Sequence, residues 1–136
     1  MSQKSRERKA RHDAERQAAP PSAIQRTARQ SPYKMRLVID QIRGLKVNDA
    51  LAMLKFSKKH AAVQISKVLS SAVANAEQKA RAANTALDVD DLIVQHAIVN
   101  EGKKLKRWTP AAMGRATPMI KRTSHVEIVV AAKEGR

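Results

Sequence analysis

The chain lacks cysteine and is poor in aromatic residues, with one Phe, one Trp and one Tyr among 136 residues. The absence of cysteine excludes disulfide scaffolds, thiolate metal sites and thiol catalysis. Three aromatic side chains are too few for the stacking platforms of common single-strand-binding folds, so any nucleic-acid recognition should act through backbone phosphates and shape. The four glycines are isolated from one another, which excludes a glycine-rich phosphate loop.

Long hydrophobic runs are also missing. The apolar runs are only a few residues long, and neither end of the chain forms a basic amphipathic stripe with bulky anchors. The N-terminal run MSQKSRERKARHDAERQ is charged throughout, without the apolar segment of a secretory signal. We therefore expect no membrane partner and a cytoplasmic location.

Acidic residues are scarce towards both ends of the chain, and the formal net charge is +15. Residues 1–36 carry ten basic and three acidic groups (+7), residues 37–101 carry eight and seven (+1), and residues 102–136 carry nine and two (+7). Two polycationic arms favour a polyanionic partner, most commonly nucleic acid, because each neutralised phosphate releases condensed counterions.

The length fits one domain with tails. Residues 1–21 are polar and basic and end in Pro20-Pro21, so we predict a basic tail that is disordered until bound. Residues 22–136 are predicted to form a single globular domain that includes an extended hairpin at about residues 100–125.

Apolar spacing predicts three helices. The first begins at Ser31-Pro32, with Ser as N-cap and Pro at the first helical position, and ends before Gly44. The second is predicted over residues 47–55, and the third, with the longest apolar stripe, over about residues 58–81.

Three β-favouring segments, at residues 23–30, 92–100 and 125–131, predict a small sheet. The predicted fold is therefore α+β, with three helices packed on a small three-stranded antiparallel sheet and a long protruding basic β-hairpin.

The predicted hairpin arm runs GKKLKRWTPAAMGRATPMIKRTS from Gly102 to Ser124, with seven Lys or Arg and no Asp or Glu. If the flanking strands pair, the tip falls near Met113 and Gly114, roughly 40 Å from the body at about 3.3 Å per residue. An isolated two-stranded ribbon is marginal in water. A partner outside the chain must therefore hold the arm, and its charge indicates a polyanion.

Candidate catalytic and metal-ligating residues are few. The cluster Asp88, Asp90 and Asp91 lacks the glycine and glutamate that an EF-hand loop needs at its sixth and twelfth positions, so a solvated turn is the better interpretation. His96 and His125 could approach each other across the hairpin, but no third ligand or nucleophile accompanies them. We expect no enzyme activity, metal or cofactor.

Two alternatives stay open on the residues alone. An architectural DNA-binding protein could grip the minor groove with the basic arm and wedge Pro110 or Pro118 between bases, although such arms normally work in symmetric pairs. A nuclease using His96 and His125 is the second alternative.

The order of motifs resembles the bacterial-type ribosomal protein L twenty-two family of the large subunit, over about residues 23–132. The matching segments are SPYKMRLVIDQIRG, ALAMLKFSKKHA, VLSSAVANAE, LDVDDLIV and EGKKLKRWTPAAMGRATPMIKRTSHVEIVV. The C-terminal signature is the most specific part, with matching residues at Lys106, Ala112, Gly114, Arg115, His125, Val126, Ile128 and Val130. The chain departs from the family at Ala111, where Arg or His is usual, and its tip is less basic than usual.

This resemblance implies a structural constituent of the large ribosomal subunit that binds 23S-type rRNA, lines the nascent-peptide exit tunnel with its hairpin and assists subunit assembly. The implied partners are rRNA, neighbouring ribosomal proteins including L four, and the nascent polypeptide, with the chain a monomer within the ribosome. The implied rRNA contacts in the body are Arg26, Arg29, Ser31, Lys34, Arg36, Arg43 and Lys46. Those on the hairpin are Lys103, Lys104, Lys106, Arg107, Arg115, Lys121 and Arg122. The implied tunnel-lining tip comprises Ala111, Ala112, Met113, Gly114, Arg115, Ala116, Thr117 and Pro118.

Overall fold

A computed structural model describes residues 4–9, 11 and 19–132. Residues 4–9 and 11 are helical and exposed. The predicted disordered tail, residues 1–21, falls partly outside the described residues, and its disorder before binding stays a prediction.

Three helices form one layer of the body: α1 is Pro32–Ile42, α2 is Val47–Phe56 and α3 is His60–Ala82. Pro32 fits the start of α1 because the first helical residue needs no N–H donor. Each helix buries one apolar stripe, and the longest, in α3, comprises Ala61, Ala62, Ile65, Val68, Leu69, Ala72 and Ala76. These stripes meet the sheet and form a single core.

Gly44 ends α1 and ties it to the sheet. Its φ of +80° lies in the left-handed region that glycine adopts without steric cost. The Gly44 N–H donates to the Val94 carbonyl at 2.9 Å, and the Val94 N–H donates to the Leu45 carbonyl at 2.9 Å. The glycine therefore turns the chain directly onto a strand.

The strands are β1 Ser22–Ala28, β2 Leu92–Glu101, β3 Leu105–Pro110, β4 Ala116–Lys121 and β5 Ser124–Ala132. Strands β1, β5 and β2 form an antiparallel sheet in that order, with β5 in the centre. The central strand alternates strictly, because Val126, Ile128 and Val130 are buried while the residues between them are partly exposed.

Strand β2 changes its buried face part-way along. Leu92 and Val94 are buried, and the next buried residues are Ala97 and Val99, three and five positions beyond Val94. A register shift between Val94 and His96 accounts for this change, since one extra residue in a strand moves every later side chain to the other face.

Strands β3 and β4 form a separate two-stranded sheet, which we call the ribbon. Its pairing runs from Leu105 opposite Lys121 to Pro110 opposite Ala116. A short 3-10 turn, Ala112–Gly114, closes it, with φ of 57° at Met113 and 67° at Gly114. The hairpin is thus divided in two, because residues 102–104 and 122–123 separate the ribbon from the β2–β5 pair.

Each ribbon strand contains one proline, Pro110 in β3 and Pro118 in β4. Within the described residues the ribbon has only these two strands, so each strand has an edge with no neighbouring strand. Proline is tolerated in such edge strands, because only central strands need every N–H for the ladder.

The predicted α+β class is confirmed. The described residues contain one more helical segment than the three predicted, at residues 4–9 and 11, where a polar composition gave no apolar stripe to indicate it. Over the described part of the chain, none of the helices has the length and apolarity needed to cross a bilayer.

Candidate nucleic-acid interface

Gly102 and Thr123 form the joint between the body and the ribbon. The Gly102 N–H donates to the Thr123 carbonyl at 2.8 Å, and the Thr123 hydroxyl donates to the Lys103 carbonyl at 2.7 Å. Thr123 is only 2% exposed, and a Cβ on Gly102 would lie 2.5 Å from Thr123 Oγ1. The joint therefore has no room for a side chain at position 102 unless its neighbours shift.

A basic groove of about 570 Å³ lies where the start of α1 meets the body end of the ribbon. It is lined by Arg29, Gln30, Ser31, Lys34, Leu105, Arg107, Ile120, Lys121, Arg122 and Thr123. Five of these residues are Lys or Arg, and among the described residues that line the groove none is acidic. Like charges held this close raise the local positive potential and favour an anion.

The N-terminus of α1 adds to that potential. The first turn of the helix has no acidic residue, and the side chain of Ser31 makes no capping hydrogen bond. A helix N-terminus carries roughly half an elementary positive charge. Together with the cationic side chains, this end of α1 suits a phosphate group.

Tyr33 lies beneath two arginines and connects α1 to the short segment between β4 and β5. The Cζ atoms of Arg36 and Arg122 lie 5.4 Å and 5.8 Å from the centre of its ring. Both distances are within the range of cation–π attraction. Arg122 Nη1 also lies 3.8 Å from Glu101 Oε1.

Sequence reasoning did not select Tyr33. Its spacing from Arg36 on one helix could have indicated the first contact. The second contact joins segments far apart in the chain and has no local sequence signal.

The structure gathers six of the predicted rRNA contacts around the groove: Arg29, Ser31, Lys34, Arg107, Lys121 and Arg122. Body and ribbon residues that are distant in sequence thus share one surface. The exposed predicted residues outside the groove are Arg26, Arg43, Lys46, Lys103, Lys104, Lys106 and Arg115.

Two predicted contacts, Arg36 and Arg43, make part-buried hydrogen bonds to carbonyls of β2. Arg36 Nη2 donates to the Val99 carbonyl at 3.1 Å, and Arg43 Nη2 donates to the Ala97 carbonyl at 2.8 Å. Both contacts hold α1 against β2. These two arginines therefore have a structural role of their own, whatever their remaining donors bind.

The tip, residues 111–118, is exposed at every position, and Met113 is 93% exposed. Arg115 is its only charged residue. The charge of the ribbon is thus concentrated near the body, whereas its far end carries a single charge and is accessible.

The two strand histidines do not meet. The pairing places His96 opposite Val129 and His125 opposite Asn100, so the two imidazoles are four positions apart along the sheet, about 13 Å. His125 Nδ1 accepts the Thr27 N–H at 2.9 Å, which places the proton of a neutral ring on Nε2. His125 therefore holds the bulged edge strand β1, and none of the described histidines partners it.

The aspartate cluster forms a turn. The Asp88 carboxylate accepts the Asp90 N–H at 3.0 Å at the start of the 3-10 turn Val89–Asp91. In the ranges that the structure describes, no group of three or more His, Cys, Asp or Glu side chains is placed to hold a metal ion.

Comparison with known proteins agrees with the sequence resemblance. Residues 23–131 match the profile of the family described as ribosomal protein L22p/L17e. The chain is 53% identical over 102 residues to a protein of Magnetococcus marinus named large ribosomal subunit protein uL22. The aligned segment covers 75% of this chain and 86% of that relative. The matched family segment includes the groove, the joint and the ribbon.

Proposed function

The chain belongs to the ribosomal protein L22p/L17e family, and from that membership we propose that its basic groove and ribbon bind large-subunit rRNA while its tip lines the nascent-peptide exit tunnel. The family membership makes the chain a structural constituent of the large ribosomal subunit in the cytoplasm, and not an enzyme. The rRNA contacts, the tunnel position and the individual partners are the proposal.

The observation that carries the rRNA proposal is the groove itself. It brings Arg29 and Lys34 of the body together with Arg107 and Lys121 of the ribbon and with Arg122 beside it, next to the positive end of α1. Arginine and lysine at the end of a helix bind phosphate oxygens, and the planar guanidinium can bridge two of them. A folded RNA backbone supplies such phosphates in series, so one strand could contact body and ribbon together.

In this proposal the three-stranded sheet and the three helices of the body lie on the outer face of the subunit, and the ribbon threads inward. The ribbon suits that path because it is only two strands wide, and at its tip the small residues Ala111, Ala112, Gly114 and Ala116 lie together. The tip then forms part of the tunnel wall beside the nascent polypeptide, opposite ribosomal protein L four. Because the body and the ribbon would bind different rRNA segments, the protein would hold those segments together and so assist subunit assembly.

The groove is tested by the salt dependence of binding to a 23S-type rRNA fragment. Replacing Arg29, Lys34, Arg107 and Lys121 with Gln removes four cations but keeps Arg122, which contacts Tyr33 and Glu101. If all four contact phosphates, the slope of log K against log salt should fall by about three to four.

A matched control removes the same charge elsewhere. Lys55, Lys58, Lys59 and Lys67 are exposed on and between α2 and α3, outside the groove, and their replacement with Gln also lowers the net charge by four. The proposal predicts a much smaller change in slope for this variant. Equal changes in both variants, or duplex DNA outcompeting the rRNA fragment at matched salt, would reject the groove as an rRNA site.

The tunnel position is tested by photocrosslinking on ribosomes stalled with a labelled nascent chain. A photoreactive amino acid at Met113, which is 93% exposed, should crosslink to the nascent polypeptide. The same probe at Phe56, 83% exposed at the end of α2, is the control and should not. Equal yields of nascent-chain crosslink at both positions would contradict the tunnel position.

A further inference from the structure

Trp108 lies exposed on one face of the ribbon and takes no part in the groove. Its side chain is 69% exposed, and it pairs directly with Pro118 across the ribbon. Directly paired residues of antiparallel strands share a face, so Lys106, paired with Ile120, lies on the same face as Trp108 two residues away. The result is an indole flanked by a pyrrolidine ring and an ammonium group.

The opposite face of the ribbon has different chemistry. Leu105, Arg107 and Lys121 lie on that side and line the basic groove, to which Ile120 of the Trp108 face also contributes. Cations thus dominate the face towards the groove, whereas the face with Trp108 has an exposed aromatic ring and one cation. Large exposed apolar side chains on a soluble protein indicate a contact when they lie together.

We propose that Trp108 is a base-stacking site, on which an unpaired nucleobase of RNA lies flat against the indole while Lys106 contacts a neighbouring phosphate. The inference rests on the proposed rRNA binding of the ribbon, and it adds a ligand contact that does not depend on charge. No other residue of the chain is a tryptophan, so the site is unique in the sequence.

Charge complementarity favours RNA over a protein at this face. From Gly102 to Ser124 the chain has seven Lys or Arg and no acid, so a polyanion surrounding the ribbon reaches both of its faces. Single-stranded segments of RNA carry bases that stack on aromatic rings irrespective of sequence. A protein partner would have to cover Trp108 and also bring an acidic group to Lys106.

The test uses the intrinsic fluorescence of Trp108, which is free of interference from any other indole. Titration of the full chain with the 23S-type rRNA fragment should quench its emission, because a stacked base deactivates the excited indole. Binding is followed in parallel with a label on the RNA. Labelled RNA that binds while Trp108 emission stays constant would overturn the stacking inference and leave the proposed function intact.

Affinity measurements with two substitutions give a second readout. Trp108→Leu keeps an apolar side chain but removes the aromatic face, and it should weaken binding about tenfold with an unchanged salt slope. Trp108→Tyr keeps a ring and should restore most of the affinity. Lys106→Gln is the electrostatic control, since it should lower the slope by about one.

The outcomes separate the two proposals. Equal affinity of the Leu and Tyr variants would overturn the stacking site, and so would emission that responds to RNA-free ribosomal proteins but not to RNA. Failure of the unaltered chain to bind the rRNA fragment would overturn both the proposed function and the inference.

Discussion

The joint at Gly102 makes a prediction that depends on a single interatomic distance. Replacing Gly102 with Ala places a Cβ 2.5 Å from Thr123 Oγ1 and 3.2 Å from the Thr123 carbonyl carbon. The first distance is shorter than any normal contact. The Thr123 side chain must therefore rotate, and in doing so it loses its hydrogen bond to the Lys103 carbonyl.

Two opposing effects decide the magnitude. Alanine restricts the unfolded chain and would stabilise the protein by about 0.4–1 kcal/mol if it fitted. Overpacking costs about 1–3 kcal/mol, and the lost hydrogen bond of the buried Thr123 costs about 1 kcal/mol more. We expect a net loss of about 2 kcal/mol in the free energy of unfolding, or roughly 5–12 °C in Tm for a body of this size.

The assay is a double-mutant cycle by urea denaturation. Thr123→Ala removes Oγ1 and should by itself cost about 1–2 kcal/mol through the lost hydrogen bond and packing. In that background Gly102→Ala should cost clearly less than 2 kcal/mol, because the closest atom is gone and only the 3.2 Å contacts with His125 Nε2 and the Thr123 carbonyl carbon remain. Additive costs, within about 0.5 kcal/mol, would refute steric crowding as the reason for glycine at position 102.

Gly44→Ala is the matched control for the cycle. Position 44 has φ of +80°, and in the described part of the chain no atom lies within 4 Å of a built Cβ, so alanine there is disfavoured by the backbone conformation. A cost of about 1–2 kcal/mol is expected, and Thr123→Ala should not relieve it.

Two further predictions concern the body and the ribbon. Ser124 is fully buried, and its hydroxyl has no hydrogen-bond partner among the described residues. Ser124→Ala should therefore leave stability unchanged or raise it by about 1 kcal/mol in urea denaturation, and a loss above about 1 kcal/mol would contradict this. A second variant replaces residues 108–118 with Asn-Gly, which keeps Arg107 paired with Met119 around a two-residue turn. Because all the residues removed are exposed, the Tm should change by less than about 2 °C. A larger fall would show that the ribbon stabilises the body.

Much of the body could be predicted because its signals are local. Ser31-Pro32 marked the start of α1 and Gly44 its end, since capping chemistry and left-handed φ are properties of single residues. The alternation in β5 likewise follows directly from a strand with one buried face.

The remaining features depend on contacts between distant segments. The division of the hairpin at Gly102 depends on Thr123, whose side chain fills the space that a Cβ would need. The groove forms because α1 and the ribbon meet, and the arginine pair at Tyr33 depends on the same meeting. The family resemblance nevertheless selected six of the residues that line the groove, because both of its sides carry basic residues that are visible in the sequence.

The prolines of the ribbon have a consequence for the protein before it is assembled. A long two-stranded ribbon with open edges could recruit strands from other chains and begin to aggregate. Pro110 and Pro118 cannot donate to an added strand, and the lysines and arginines of the ribbon repel a second copy. A newly made chain can therefore present its ribbon to solvent and remain soluble until it is incorporated.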